Sequence, residues 1–272
     1  MNNFEFMLCE EDKPENLDKY LSDDYLLEEK IDGTRAILIN TDKVNIINRN
    51  GISYGSRFPE LIGDVSEMPK GIVLDCEIVA SFKGVRRFEY STRRCATESK
   101  LKQQLLAEIY PIKLIVFDIL VSDNVDIRKM PLIDRKRELS AFFDENFFRN
   151  IQKIETYWSE EEKKGVWSDI VKNDLEGVVV KNLNSAYIGG RSSTWKKIKN
   201  TKSVDLKFTS YEQNNKGITL ISDKGIRVQC SGFQSREVKE RIDREGYAIA
   251  EINYLGITDN SVYRMPTFKG LK

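Results

Sequence analysis

The sequence predicts an α+β protein built from two domains. Short β-branched runs bounded by turn residues alternate with helical patterns over the first two thirds of the chain. After about residue 202 the pattern changes to short strands with tight turns, interrupted by one helix over 234–245. Strands of this kind, about five in roughly 70 residues, are typical of a small β-barrel. We therefore expect a mixed domain over 1–201 and a barrel domain over 202–272.

The individual elements follow from hydrophobic spacing and punctuating residues. Strands of the first domain are predicted at 25–29, 34–39, 44–49, 71–80, 113–121 and 174–182. Helices are predicted over 97–109 and 131–148, and another after a capping box formed by Ser159 and Glu162. Strands of the second domain are predicted within 204–212, 217–222, 225–230 and 247–255, and we assign this domain to the OB type. The polar stretch 200–202 is the expected hinge.

Composition excludes several kinds of catalytic site. The 272 residues include no histidine, which rules out Ser-His-Asp and Cys-His nucleophiles and histidine-bound zinc. The four cysteines form no C-x-x-C pair, so we expect reduced thiols rather than a zinc site or a disulfide framework. No signal peptide and no membrane-spanning run is recognised, and we expect a cytoplasmic protein of a bacterial or virus-infected cell. Catalysis must then use Lys, Arg, Asp, Glu or Tyr, or a metal held by oxygen atoms.

A lysine at the end of a hydrophobic strand is the first candidate for a nucleophile. Lys30 is followed by an Asp32-Gly33 turn, and Arg35 lies at the start of the next strand. Lysine is nucleophilic only when neutral, and its ordinary pKa of about 10.4 makes that form rare at neutral pH. Burial and neighbouring cations lower this pKa. The competing interpretation is a surface hairpin with Asp-Gly at its turn.

Other segments supply the groups that a catalytic lysine needs. Glu77 lies near the expected end of a buried strand, and Glu176 begins another strand. Phe117 offers an aromatic face for a base. Lys197 and Lys199 share one side of an extended segment, because side chains alternate along a strand. Each segment alone is compatible with a structural role, but together they indicate a pocket for a nucleoside polyphosphate.

The order of these motifs resembles that of the covalent nucleotidyltransferase superfamily, and within it the compact ATP-dependent DNA ligases. The motifs are K-x-D-G-x-R at 30–35, D-x-E at 75–77, F-D at 117–118, E-G-V-V-V-K at 176–181 and W-x-K-x-K at 195–199. The segments R-N-G at 49–51 and G-R-S-S-T-W at 190–195 favour the DNA ligase branch. The resemblance covers nearly the whole chain.

The resemblance implies a nucleotidyltransferase (ATP-grasp-like) domain of antiparallel sheets with helices, followed by a C-terminal OB-fold barrel. It also implies an enzyme that uses ATP and Mg²⁺ to seal nicks in duplex DNA. Lys30 would form a lysyl-AMP, the adenylate would pass to the 5′-phosphate of the nick, and the 3′-OH would then attack that phosphate. Nicked double-stranded DNA is the expected partner, and the enzyme is expected to be a monomer. The alternative is an RNA ligase or an RNA-capping guanylyltransferase of the same superfamily.

The resemblance also implies roles for single residues. Lys30, Lys197 and Lys199 would be catalytic, the last two through the α-phosphate. Glu77 and Glu176 would hold Mg²⁺. The residues implied to contact ATP are Glu28, Arg35, Arg49, Glu77, Phe117 and Lys199. Among these, Phe117 would stack on adenine and Glu28 would read its amino group.

Two basic stretches indicate contact with the DNA backbone, although 43 basic and 43 acidic residues cancel overall. Segment 83–102 has seven basic and two acidic residues, and segment 191–202 has five basic residues and no acid. The alternative for the first stretch is a solvated loop and helix face. The residues expected to bind DNA are Arg49, Arg86, Arg87, Arg93, Arg94 and Arg191. Arg49 is the one expected to grip the 5′-phosphate of the nick.

Three side chains keep open roles. Asp32 either holds the turn or takes part in catalysis, Asp118 is expected to be structural, and Lys181 is expected to be a solvated strand end or a phosphate contact. The ligase motif Arg-x-Asp-Lys is expected after Lys269-Gly270, yet Lys272 stands at the arginine position and ends the sequence. We expect that Lys272 partly replaces the arginine, that the enzyme has an altered requirement for ATP, or that the chain is shortened. Slow self-adenylylation with efficient sealing of pre-adenylylated nicks would follow.

Overall fold

The computed structural model describes residues 4–55, 57–257 and 262–272. Contacts divide the chain into two compact units, Met1–Ile198 and Lys199–Lys272, close to the boundary expected from the sequence. No helix in the described parts of the chain is long and apolar enough to cross a membrane.

The first unit combines two large sheets with helices. Its strands are β1 (Met7–Asp12), β2 (Tyr25–Glu29), β3 (Thr34–Asn40), β4 (Val44–Asn48), β5 (Ile72–Phe82), β6 (Val85–Arg86), β7 (Ile112–Ser122), β8 (Val125–Asp126), β9 (Ile151–Lys153), β10 (Thr156–Tyr157), β11 (Gly177–Asn182) and β12 (Gly190–Lys199). Its helices are α1 (Ile62–Glu67), α2 (Phe88–Ala96), α3 (Lys100–Ile109), α4 (Leu132–Glu145) and α5 (Glu160–Lys172), with 3₁₀ turns at Pro14–Tyr20 and Pro59–Leu61.

One sheet has the strand order β1-β12-β11-β2-β10, and the other has the order β4-β3-β5-β7-β8. Strand β6 pairs with β5, and β9 pairs with β7. Most of the pairs are antiparallel as predicted, but β1 with β12 and β7 with β9 are parallel. The parallel pairs join strands that are distant in sequence, and a local sequence pattern does not predict such pairing.

Consecutive strands β2 and β3 lie in different sheets, so the lysine-containing link between them is not a hairpin turn. The link passes close to β5. A Cβ atom on Gly33 would lie 2.4 Å from the backbone oxygen of Ile78 and 2.8 Å from Cγ of Glu77. Glycine is therefore required at this crossing, because no larger residue fits against that backbone.

Alternation along the strands divides the buried side chains into three layers. On β2, Leu26 packs between the two sheets, whereas Leu27 packs under α5. On β3, Ile37 faces the space between the sheets, whereas Leu38 packs in the core beneath the helices of the second sheet. We call the surfaces of both sheets that bear Leu26 and Ile37 the inter-sheet faces.

The predicted helices are present with shifted bounds. The helix expected over 97–109 begins only at Lys100, and α2 precedes it without having been predicted. Helix α4 begins at Leu132, directly after Pro131. The capping box of α5 is confirmed, since Oγ of Ser159 accepts a hydrogen bond from the Glu162 backbone and the Glu162 side chain accepts one from the Ser159 backbone.

The second unit is a curled five-stranded sheet with one helix. Its elements are β13 (Lys202–Asn214), β14 (Gly217–Ser222), β15 (Arg227–Cys230), α6 (Phe233–Glu245), β16 (Ala248–Tyr254), β17 (Gly256–Ile257), β18 (Tyr263–Arg264) and β19 (Thr267–Leu271). The order is β15-β14-β13-β16-β19, and the outer strands β15 and β19 also contact each other. Phe208, Leu220 and Val238 are among the side chains buried inside. This is the small barrel that the sequence predicted.

Candidate active site

The motif residues of the first unit project from the inter-sheet faces. Asp75 and Glu77 follow Val73 at two-residue steps along β5, and Val73 packs between the sheets. Phe117 and Trp195 also contact that inter-sheet core. The carboxylates lie in the middle of β5, not at the end of a strand as the sequence suggested. The site is therefore a polar continuation of an apolar core.

Lys30 is held at both its backbone and its side chain. Its backbone N–H donates to the carbonyl of Gly177 over 2.8 Å. Its Nζ atom lies 2.6 Å from Oε1 of Glu176, and the two side chains are 23% and 10% exposed. The motif lysine is thus anchored, partly accessible and paired with the carboxylate that directly precedes the neighbouring strand β11.

Glu77 is the second carboxylate near Lys30. Burial raises the pKa of Glu77 to about 8, although the charges of Lys30 and Arg35 lower it. Glu176 and Asp75 raise the pKa further through like-charge repulsion, so these acidic groups are close enough to interact. Two interacting carboxylates provide hard oxygen ligands. No cluster of three or more potential metal ligands occurs among the residues that the structure describes.

Arg35 takes part in a buried network rather than pointing freely to a ligand. Its Nε and Nη2 atoms donate to the two oxygens of Asp75 over 3.0 and 2.6 Å, and Nη1 donates to the carbonyl of Met7 over 2.6 Å. The hydroxyl of Tyr187 donates to Asp75 over 2.6 Å and accepts from the Met7 backbone over 3.1 Å. This network joins β3, β5 and β1 across the two sheets.

Glu28, two residues before Lys30, bridges two buried lysines. Its Oε1 atom contacts Nζ of Lys136 and accepts a hydrogen bond from Thr156 over 3.2 Å, and Oε2 lies 2.6 Å from Nζ of Lys181. Burial raises the pKa of Glu28, but the charges of Lys136 and Lys181 outweigh burial and hold it below its ordinary value. The expectation that Lys181 is a solvated strand end is wrong, because its side chain is only 2% exposed.

Aromatic rings line the site next to these charges. The rings of Phe117 and Trp195 meet edge to face with centroids 6.4 Å apart. Nζ of Lys181 lies 4.1 Å from the Trp195 centroid and 4.6 Å from that of Phe117. Arg35 lies 5.1 Å from the Phe117 centroid. Cations near ring faces are stabilised by the ring quadrupole, which helps to explain charges at this depth.

Strand β12 carries the last motif. Lys197 is half-buried, and its Nζ atom lies 3.3 Å from Oε2 of Glu11 on the adjacent β1. Lys199 ends the same strand and lies on the same face as Lys197 by strand alternation. The neighbouring Lys196 pairs with Glu10 at 2.7 Å.

The arginines predicted to bind DNA differ in exposure. Arg49, Arg93 and Arg191 are exposed, and Arg87 is half-buried. Arg86 is 42% exposed and pairs with Glu29 at 2.8 Å.

Arg94 does not belong with these exposed cations. It is fully buried and donates to both oxygens of Glu60 and to the carbonyl of Tyr110. It links α2 to the segment before α1. The prediction that Arg94 contacts DNA is wrong, because no part of its side chain reaches the surface.

Lys136 was not among the residues predicted from sequence. Its neighbours 134–138 are polar and resemble a solvated helix face. Helical spacing nevertheless places Lys136 on the buried stripe with Leu132 and Leu139, and this was the available signal.

The two-sheet domain and the barrel that follows it are the nucleotidyltransferase and OB-fold domains of a ligase fold. Residues 6–199 match the family model of the ATP-dependent DNA ligase domain. The chain belongs to the ATP-dependent DNA ligase family.

Two relatives and two solved structures illustrate this. The bifunctional non-homologous end joining protein LigD of Bacillus subtilis (strain 168) is 30% identical over 248 residues, 81% of this chain and 40% of LigD. The SPbeta prophage-derived DNA ligase-like protein LigB of the same strain is 30% identical over 196 residues, 71% of this chain and 67% of LigB. The chain thus spans less than half of LigD.

A structure from a study of DNA binding by Lig E DNA ligases with a minimal scaffold has a TM-score of 0.72 at 16% identity, covering 99% of this chain and 100% of that one. A mycobacterial DNA ligase D complexed with ATP and MES has a TM-score of 0.61 at 18% identity, covering 99% and 95%. At these identities the likeness concerns the fold.

Proposed function

We propose that the chain seals nicks in duplex DNA with ATP through a lysyl-AMP intermediate. The observation that carries the proposal is the position of Lys30, partly exposed on the inter-sheet side and held 2.6 Å from Glu176. An amine that is fixed, accessible and next to two carboxylates suits attack on a phosphate.

In the first step, the Lys30 ammonium releases a proton to water, and the neutral Nζ attacks the α-phosphorus of ATP. A P–N bond forms, and the bond to the leaving pyrophosphate breaks. Glu176 orients the amine before attack. Lys197 and Lys199 offset the negative charge that develops on the α-phosphate.

Glu77 and Glu176 fit a divalent cation that also binds substrate phosphates. Mg²⁺ usually binds proteins through one or two carboxylates and completes its shell with phosphate and water. When bound there, Mg²⁺ would neutralise phosphate charge and favour in-line attack.

The adenosine contacts follow the aromatic wall. Phe117 stacks on adenine, and Glu28 accepts a hydrogen bond from its amino group. Asp75 and Met7 hold Arg35 through three of the five N–H groups of its guanidinium, and its positive charge attracts the phosphates of ATP.

In the second and third steps, the adenylate passes to the 5′-phosphate of the nick, and the 3′-OH attacks that phosphate with release of AMP. Arg49 grips the 5′-phosphate, while Arg86, Arg87, Arg93 and Arg191 contact the backbone. The protein works as a monomer on nicked duplex DNA. Its bacterial and prophage relatives support a cytoplasmic setting.

A sealing assay tests the proposal. A duplex with a 5′-phosphorylated nick is incubated with Mg²⁺ and either ATP or GTP, beside the same nick with an RNA strand. We expect ATP-dependent joining of the DNA nick, loss of joining in Lys30→Ala, and full joining in Lys43→Ala, which changes an exposed lysine. Joining of the RNA nick alone, or label transfer from GTP alone, would instead support the RNA ligase or capping alternative.

A further inference from the structure

We propose that Lys136 is a positioning residue that makes the nucleotide site select adenine over guanine. It acts through Glu28 and touches no substrate. The inference rests on the proposed function, since it concerns the nucleotide that Lys30 would attack.

Lys136 is placed rigidly by its neighbour in sequence. Arg135 donates to both oxygens of Asp118 over 2.9 Å, and its Nη1 atom donates to the carbonyls of Met130 and Ser185 over 2.6 and 2.9 Å. Both Arg135 and Asp118 are fully buried. These bonds fix α4 against β7, and so the adjacent Lys136 reaches Glu28 from a firm support.

The contacts of Glu28 leave little acceptor capacity. A carboxylate offers about four acceptor positions. Lys136 and Thr156 donate to Oε1, and the Lys181 ammonium lies 2.6 Å from Oε2 as an ion pair. Acceptor capacity remains at one position of Oε2, on the residue two positions before Lys30. A donor such as the 6-amino group of adenine can fill that position.

Guanine presents a carbonyl at the same ring position. A carbonyl oxygen facing a carboxylate places two acceptors together with no donor between them, and the carbonyl loses the water that hydrates it in solution. A site built for a substrate donor rejects an analogue that lacks it far more strongly than an apolar pocket rejects a size change. The selectivity therefore depends on Glu28 being ionised and held in one rotamer.

Lys136 supplies both conditions. Glu28 is 1% exposed and Lys136 is 5% exposed, so the ion pair is shielded from water. Without Lys136, the carboxylate is free to turn and give both oxygens to Lys181 and Thr156. The 6-amino group of adenine would then lose its acceptor, and the site would no longer reject the 6-carbonyl of guanine.

The experiment compares Lys30 adenylylation and guanylylation by the full chain with ATP and GTP over a range of concentrations. In Lys136→Met we expect the ATP-to-GTP ratio of kcat/KM to fall about tenfold, mostly through a higher KM for ATP. Lys136→Arg keeps the positive charge and should keep most of the preference. Arg137→Met changes a 72% exposed neighbour on the same helix and should leave the ratio unchanged.

Purine riboside triphosphate, which lacks the 6-amino group, is the second probe. The wild type should prefer ATP over this analogue, and Lys136→Met should lose that preference. Thr156→Val, which removes the other donor at Oε1, should shift the ratio in the same direction and decides the matter if Lys136→Met does not fold. An unchanged ratio in a folded Lys136→Met or in Thr156→Val overturns the inference. A wild type that takes no AMP from ATP overturns the proposed function instead.

Discussion

Glu77 holds its proton unusually firmly because burial disfavours its charged form more than Lys30 and Arg35 favour it, which places its pKa at about 8. In the unfolded chain the pKa returns to its ordinary value of 4.5. Between these values the folded state binds more protons than the unfolded state, so stability present at low pH is lost as pH rises. Without metal, Glu77 therefore weakens the fold at alkaline pH.

Substitution Glu77→Gln should remove this pH dependence. The variant mimics the protonated side chain, so its Tm relative to wild type should be higher at pH 9 than at pH 5 in metal-free buffer. Thermal melts at the two pH values measure this, with Glu108→Gln, an exposed glutamate, as the control. An equal Tm difference at both pH values would contradict the shifted pKa.

Glu28 illustrates the cost of a buried charge without its partner. Substitution Glu28→Gln leaves Lys136 and Lys181 with no carboxylate between them. We expect a loss of about 3–5 kcal/mol in the free energy of unfolding. Urea denaturation measures it, and a loss below about 1 kcal/mol, the usual size for an exposed pair, would show that the lysines are solvated.

Among the elements, the link from β2 to β3 shows what a strand pattern predicts and what it leaves open. The alternation of apolar residues predicted both strands within one or two residues. Their membership in different sheets depends on pairing with β11 and β5, which are distant in sequence. The sequence therefore predicts Lys30 as a candidate nucleophile but leaves open that its link crosses between the sheets.

The crossing at Gly33 gives a test. Substitution Gly33→Ala places a Cβ atom 2.4 Å from a backbone oxygen, and that backbone belongs to the central strand β5. We expect a loss of about 1–3 kcal/mol in stability and slower adenylylation of Lys30, since the link must shift. Gly63→Ala is the control, because its Cβ atom meets nothing within 4 Å. Equal stability and rate in the two variants would show that the link adapts freely.

The candidate site residues could be predicted because each lies in a short motif of neighbouring residues. The residues that support them could not be predicted, because Lys136, Tyr187 and Met7 lie far along the chain from the groups that they contact. The same reason explains the error at Arg94. A basic residue in a basic stretch looks exposed until the fold brings Glu60 to it.

The zero net charge of the protein conceals an uneven distribution of charged side chains. The number of charges along the two basic stretches overestimates their positive charge in the fold. Arg86 pairs with Glu29, and Lys196 pairs with Glu10, and these acidic partners come from other strands. Exposed cations remain at Arg49, Arg93 and Arg191. Binding to the DNA backbone would then depend on a few cations and on salt.

Charge reversal at Arg87 and Arg93 should weaken binding to a nicked duplex. It should also flatten the plot of log affinity against log salt, since each lost phosphate contact removes about 0.9 from the slope. Fluorescence anisotropy across a salt series measures both quantities. The control is Lys172→Glu on α5, an exposed cation outside both stretches. Equal slopes for the double variant and wild type would mean that α2 does not contact DNA.

Mass spectrometry of the intact chain after incubation with ATP and Mg²⁺ tests most directly whether Lys30 is the nucleophile. We predict a mass gain of one AMP, which peptide mapping locates on Lys30 and which is absent from Lys30→Ala. An unmodified chain under these conditions, or an adduct that persists in Lys30→Ala, would show that Lys30 is not the nucleophile.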